Sequence, residues 1–232
     1  MGGRPTPVTQ AIAVADRLDV QQRLRSVTRP RPLLDRTRER ALTERQRELL
    51  DQLGHVFDGG FADLTMAEIA RRLNCSLRTL YALAPSRDEL VLIVVDRNLW
   101  EVGRAARDAI GPELAPLDAL RSYLEAATVA VSDMTEAFSR DLVAVAVAQR
   151  LGNDHDEYLF EVTRTLLDLA AEQGEIVDVD TTAVARILAG LGSFFSRPSV
   201  IPTLRSSPKE AADEVVGLVL RGLRTSTEGT RP

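Results

Sequence analysis

The 232-residue chain is 44% hydrophobic and 27% charged, with 14 glycines and 11 prolines, a balance that excludes collagen-like, low-complexity and wholly disordered classes. Its one cysteine, Cys75, excludes an internal disulfide and a cysteine-built metal cluster. The net charge of −5 speaks against a polyanionic partner until it is divided: the first 97 residues carry 16 arginines against 13 carboxylates, the remainder 13 basic residues against 21 acidic.

Basic residues gathered at one end suggest that this end meets a polyanion. Residues 1–40 read as a basic, largely flexible arm, weakly amphipathic over residues 9–24. It is interrupted at Arg29-Pro30-Arg31-Pro32, because a residue before proline is pushed out of the helical region. Arg29, Arg31, Arg36, Arg38 and Arg40 are candidates for phosphate or minor-groove contact.

Helix-start signals then recur. Thr43-x-x-Gln46, Thr65-x-x-Glu68, Ser86-x-x-Glu89 and Ser207-x-x-Glu210 have the capping-box spacing, and Pro208 falls at a first helical position. Apolar residues follow helical periodicity: Leu49, Leu53 and Val56, then Met66, Ile69, Ala70 and Leu73, then Leu77, Leu80 and Tyr81, then a long helix beginning with Val91, Val94 and Val95. Further helices are expected at 116–133, 135–150, 154–173, 181–195 and 208–224. No segment alternates with period two, so the fold class is all-α. The longest aliphatic runs, at 91–95 and 142–148, are far short of the ~18 residues a membrane helix needs. A cytoplasmic protein without a membrane partner is expected.

The informative stretch is 66–83. One helix ends at Asn74, a residue type that tolerates the left-handed conformation a tight turn demands, and a second starts at Ser76. With Leu80 turned inward and polar residues outward, the pair suits a helix-turn-helix whose second helix enters the major groove.

The run Val56-Phe57-x-x-Gly60-Phe61-x-x-Leu64-Thr65-Met66-x-x-Ile69-Ala70-x-x-Leu73-Asn74-Cys75-Ser76-x-x-Thr79-Leu80-Tyr81, followed by Pro85-Ser86-Arg87-Asp88-x-Leu90, resembles the N-terminal domain of TetR-family transcriptional regulators. The resemblance implies a three-helix DNA-binding domain at 41–90 and a helical effector-binding and dimerisation domain at 91–232. It implies a homodimer that recognises a palindromic operator in double-stranded DNA, acts as a repressor, and is released by a small, mostly apolar effector. No catalytic residue, metal or cofactor is implied. By position, Thr65, Tyr81 and Arg87 would contact phosphates, and Ser76, Leu77, Arg78, Thr79 and Ala82 would face base edges. The chain departs from the family pattern at Asn74, where glycine is usual, at Leu83 and Ala84, and at Arg78 and Arg87. A helical ligand-binding or protein-interaction module whose helix-turn-helix no longer binds DNA is the alternative reading.

In the acidic remainder, Trp100, Tyr123, Phe138, Tyr158, Phe160 and Phe194 are candidates for a ligand pocket, as apolar walls with a few polar groups are the usual composition. Val184, Ile187, Leu188 and Leu191, with Val215, Leu218 and Val219, repeat at helical spacing and are the expected dimer interface, a four-helix bundle built from two helices of each subunit. Asp154-His155-Asp156-Glu157 reads as a helix start meeting the helix dipole rather than a metal cluster.

Overall fold

The computed structural model describes residues 20–34, 36–132, 135–197 and 199–225. It is all-α. The elements are α1 (residues 20–26), α2 (Arg36–Ala41), α3 (Glu44–Asp58), α4 (Met66–Arg72), α5 (Leu77–Leu83), α6 (Arg87–Asp108), α7 (Pro116–Ser132), α8 (Glu136–Ala144), α9 (Ala146–Glu172), α10 (Thr181–Phe195) and α11 (Pro208–Leu223). The one β-type pairing among the described residues is an isolated bridge between Ile176 and Arg224.

Capping fixes where these helices begin. Thr43, Thr65 and Ser207 form complete capping boxes with Gln46, Glu68 and Glu210, and the Ser86 hydroxyl accepts the N–H of Glu89 at 3.1 Å. Such caps contribute about 0.5–2 kcal/mol each by satisfying donors that a helix N-terminus leaves unpaired.

Two apolar clusters result. The first joins Leu49, Leu53 and Phe57 of α3, Ile69 of α4, Leu80 of α5 and Leu90 of α6. The second joins Leu120 and Tyr123 of α7, Leu166 and Leu169 of α9, and Leu220 of α11. The long helix α6 spans both, contributing Val91, Val94 and Val95 to the first and Ala106 to the second. At 1.5 Å per residue, its 22 residues reach about 33 Å.

Two expectations are corrected. The predicted break between helices near 150–154 lies instead at Val145, whose extended backbone closes α8 and opens α9. Gly152 is inside α9, where an added Cβ would stand 3.9 Å from the Leu142 side chain, so α8 folds back along α9 at this point. The segment 154–157 is therefore mid-helix, not a helix start. The arm is also not free over its described part. Val20 and Leu24 of α1 are 3% and 1% exposed within the second cluster, because a short amphipathic turn gains more by burying its apolar side than by staying solvated. Residues 1–19 lie outside the described residues.

Candidate nucleic-acid interface

The turn between α4 and α5 is built by two features. Asn74 adopts φ +48°, the left-handed conformation, and the N–H of Cys75 returns to the carbonyl of Ala70 at 3.0 Å. Ser76 then caps α5, accepting the N–H of Thr79 at 3.1 Å, while the two hydroxyls lie 2.7 Å apart. Beneath α5, Leu80, Leu83 and Ala84 are buried. The Leu83 and Ala84 departures from the family pattern are thus buried packing positions.

The opposite face of α5 is open. Ser76, Arg78 and Ala82 are exposed, Leu77 is 44% and Tyr81 52% exposed, and Thr79 is half-buried. Arg78 forms no hydrogen bond or ion pair among the described residues, leaving an exposed fork of donors on α5. Thr65, at the start of α4, is exposed but committed to its capping box, donating its hydroxyl to Glu68 at 2.8 Å.

Arg87 stands apart from the other candidates. Its Nε donates to the carbonyl of Leu64 at 3.0 Å, its Nη2 to the carbonyls of Phe61 and Ala62 at 2.6 Å each, and its Nη1 pairs with Asp88 at 2.9 Å. The guanidinium expected to meet phosphate is spent on the loop that leads into α4. Sequence spacing could not reveal this, since the partners lie more than twenty residues upstream and are backbone atoms. On the other side of that loop the buried carboxylate of Asp141 accepts the N–H groups of Phe61 and Ala62. Asp141 was absent from the sequence-derived candidates, because nothing in the local pattern of α8 distinguishes it.

The candidate pocket residues do not converge. Phe138 belongs to the first cluster, edge-on to Phe61 with ring centroids 5.3 Å apart. Tyr123 is fully buried in the second cluster. Phe194 is 45% exposed and edge-on to Phe195. Phe160 lies under the guanidinium of Arg186, 3.4 Å from ring centroid to Cζ, beside a cavity of 190 Å³. Only Trp100 and Tyr158 share a larger cavity, of 530 Å³, between the arm, α6 and α9. Large side chains spaced along different helices shared composition but not a direction.

The expected interface residues also divide. Leu188 is buried inside the second cluster, and Val184, Leu191 and Val219 pack against it from the edge. Ile187 and Leu218 remain 58% and 56% exposed, on helices α10 and α11 that pack on each other, and Val215 is half-buried. The helical repeat counted every apolar position, whereas two helices packed on their own subunit need one side of it for themselves. No helix among the described residues is long and apolar enough to cross a membrane.

Neither a family model nor a curated protein matches the chain. Solved structures do. A TetR-family transcriptional regulator, PfmR from Thermus thermophilus, is 24% identical, with 76% of this chain and 99% of that one covered at a TM-score of 0.58. A tetR-family regulatory protein from Rhodococcus is 22% identical, with 80% and 100% covered at 0.61. AibR, solved with isovaleryl coenzyme A and operator DNA, is 18% identical, with 75% and 97% covered at 0.57. The chain thus has the fold of TetR-family transcriptional regulators.

Proposed function

We propose that the chain is a homodimeric, sequence-specific DNA-binding regulator, a repressor acting in the cytoplasm whose operator affinity responds to a small molecule, and that it is not an enzyme. The observation that carries this reading is α5. One side of it is locked into the core by Leu80, Leu83 and Ala84, while Ser76, Leu77, Arg78, Tyr81 and Ala82 stand outward. An exposed, rigidly seated short helix of this kind fits the major groove, about 12 Å wide.

Within this reading residues 41–90 are the DNA-binding unit and 91–232 the regulatory and dimerisation body. Arg78 reads guanine through two parallel donors. Ser76, Leu77, Thr79 and Ala82 face base edges, and Tyr81 and Thr65 lie at the flanking phosphates. Arg87 instead holds the loop that aims α4, and the exposed residues Arg38 and Arg40 of α2 add long-range attraction. Ile187 and Leu218 are the centre of the subunit interface. The solved complex of AibR with operator DNA and isovaleryl coenzyme A supports both halves of the reading, since that protein shares the fold.

Selection of bound fragments from a random double-stranded library tests it. The expected result is a palindromic consensus whose half-sites lie about one helical turn, ~34–36 Å, or a multiple of it apart. Recovery of no consensus at low salt overturns the reading.

A further inference from the structure

The arm and the body enclose the 530 Å³ cavity that contains Trp100. Arg25, Arg29 and Pro30 form its arm side, Trp100, Arg104 and Arg107 its α6 side, and His155 and Tyr158 its α9 side. The polar atoms along these walls are overwhelmingly donors: a guanidinium has five N–H groups and no acceptor, and an indole has one donor only. Asp108 is the single carboxylate among the lining residues.

Three of these guanidinium groups are uncommitted. Arg25, Arg29 and Arg104 form no hydrogen bond or ion pair among the described residues, and the Trp100 indole N–H is buried without a partner. Arg107 is already used, donating to the Tyr158 hydroxyl at 2.5 Å and to the Leu24 carbonyl at 3.1 Å. It clips the arm onto α9 and leaves the other guanidinium groups at the mouth. The indole ring, Leu99 and Ile110 supply an apolar floor.

We propose that this cleft binds a small organic anion, a carboxylate or phosphate head on a compact apolar body, and that this occupant is the effector; its role as effector rests on the regulator reading above. The volume lies within the roughly 300–1,000 Å³ of small-molecule sites. In this proposal the small, mostly apolar effector expected from sequence carries an anionic head, because arginines separated in sequence line the same cleft.

The arm connects this site to the DNA-binding end. Val20 and Leu24 pack into the second cluster, while Leu34 and Leu42 pack against the first. Between them the N–H of Leu33 donates to the buried carboxylate of Asp96 at 2.8 Å, whose other oxygen lies 3.5 Å from Nε2 of His155 in the cavity wall. A strap fixed to both clusters and forming one wall of a cleft transmits occupancy of that cleft to both.

Trp100 is the only tryptophan in the chain, so its emission reports on this cavity alone. Full-length protein is titrated with octanoate, octyl phosphate and octan-1-ol. The expected result is a saturable emission change with octanoate or octyl phosphate, the tighter of the two identifying the head group, and about tenfold or more weaker binding of the uncharged alcohol. Arg25→Ala with Arg104→Ala, both at exposed positions, weakens the anions about tenfold or more and leaves the alcohol unchanged, with helical content as the folding control. Absence of any saturable change with either anion, equal affinity for alcohol and anions, or wild-type affinity in the double variant overturns the site. Operator retention is read separately. An anion that binds without altering it overturns the effector role, while anion binding by a chain that selects no DNA supports the site and defeats the regulator reading.

Discussion

Asp141 and Arg87 hold the same two residues by opposite poles of the backbone. Through the single oxygen Oδ2, Asp141 accepts the N–H of Phe61 at 2.6 Å and of Ala62 at 2.8 Å, and Arg87 donates to the carbonyls of both. Asp141 sits on α8 of the body, Arg87 at the start of α6, and the clamped residues lead into α4. The orientation of the helix-turn-helix is therefore set by two charged side chains rather than by apolar contact alone.

Removing the carboxylate tests one half of that clamp. Burial raises the Asp141 pKa most strongly, but the N–H groups of Ala62 and Phe61 together with Arg140 outweigh it, and the carboxyl is held below its ordinary 3.8. A depressed folded pKa gives stability that is present above the unfolded value and is lost as pH falls through the folded one. Asp141→Ala should cost about 1–3 kcal/mol or more at neutral pH, since two N–H groups lose their acceptor. Its deficit relative to wild type should shrink as the pH drops below the ordinary carboxylate value. Urea midpoints across pH measure both; a deficit independent of pH contradicts the assignment.

Arg87 and Arg78 should separate cleanly. Arg87→Ala removes three bonds to carbonyls, so it destabilises the fold by about 1–3 kcal/mol and weakens DNA binding by letting α4 and α5 drift. Because it carries no phosphate contact in this reading, the slope of log K against log salt should stay unchanged, where a lost phosphate contact would flatten it by about 0.9. Arg78→Ala should leave stability alone and remove about 1–3 kcal/mol of preference for operator over scrambled sequence. Binding isotherms on both DNAs at several salt concentrations decide between these patterns.

What was legible in the sequence was local, and what was missed was not. Helix starts at Thr43, Thr65 and Ser207 follow from neighbours three residues apart, and the inward turn of Leu80 from the helical period. The break at Val145 carries no cap side chain, so no local signal marks it. The roles of Arg87 and Asp141 depend on backbone atoms brought close by the fold, and the basic cleft depends on Arg25 and Arg104 meeting from separate elements. Exposure of Ile187 beside burial of Leu188 likewise depends on which side of α10 its own subunit covers.

Asn74 and Gly60 provide a backbone test. Asn74 is the one described non-glycine residue with positive φ, and Gly60 has φ +95°. Asn74→Gly should be neutral or slightly stabilising, whereas Asn74→Val should cost about 1–2 kcal/mol through its branched Cβ. At Gly60 an added Cβ would stand 2.9 Å from Oδ2 of Asp141 and 3.3 Å from an Arg140 nitrogen. Gly60→Ala therefore strains the turn and pushes on the clamp together, and should cost about 1–3 kcal/mol. Thermal unfolding monitored by circular dichroism ranks the variants; a Gly60→Ala protein as stable as wild type shows that the clamp tolerates displacement.

Exposed apolar side chains on α10 and α11 set the last prediction. Ile187, Leu218 and Phe194 leave large apolar surfaces in water, while the glycines at 190 and 192 have nothing within 4 Å of an added Cβ. A second copy of the same two helices would cover such a face by twofold symmetry, with the glycines allowing close approach. Burying a charge there without a partner is costly, so Ile187→Glu or Leu218→Glu should convert the proposed dimer to monomers at micromolar concentration, with helical content retained. Leu188→Ala, by contrast, empties a core position and should cost about 2–5 kcal/mol of subunit stability while leaving the assembly state of the folded protein intact. Light scattering coupled to size exclusion reads the first effect and urea unfolding the second. Dimers that persist in both glutamate variants would place the subunit contact on another face of the molecule.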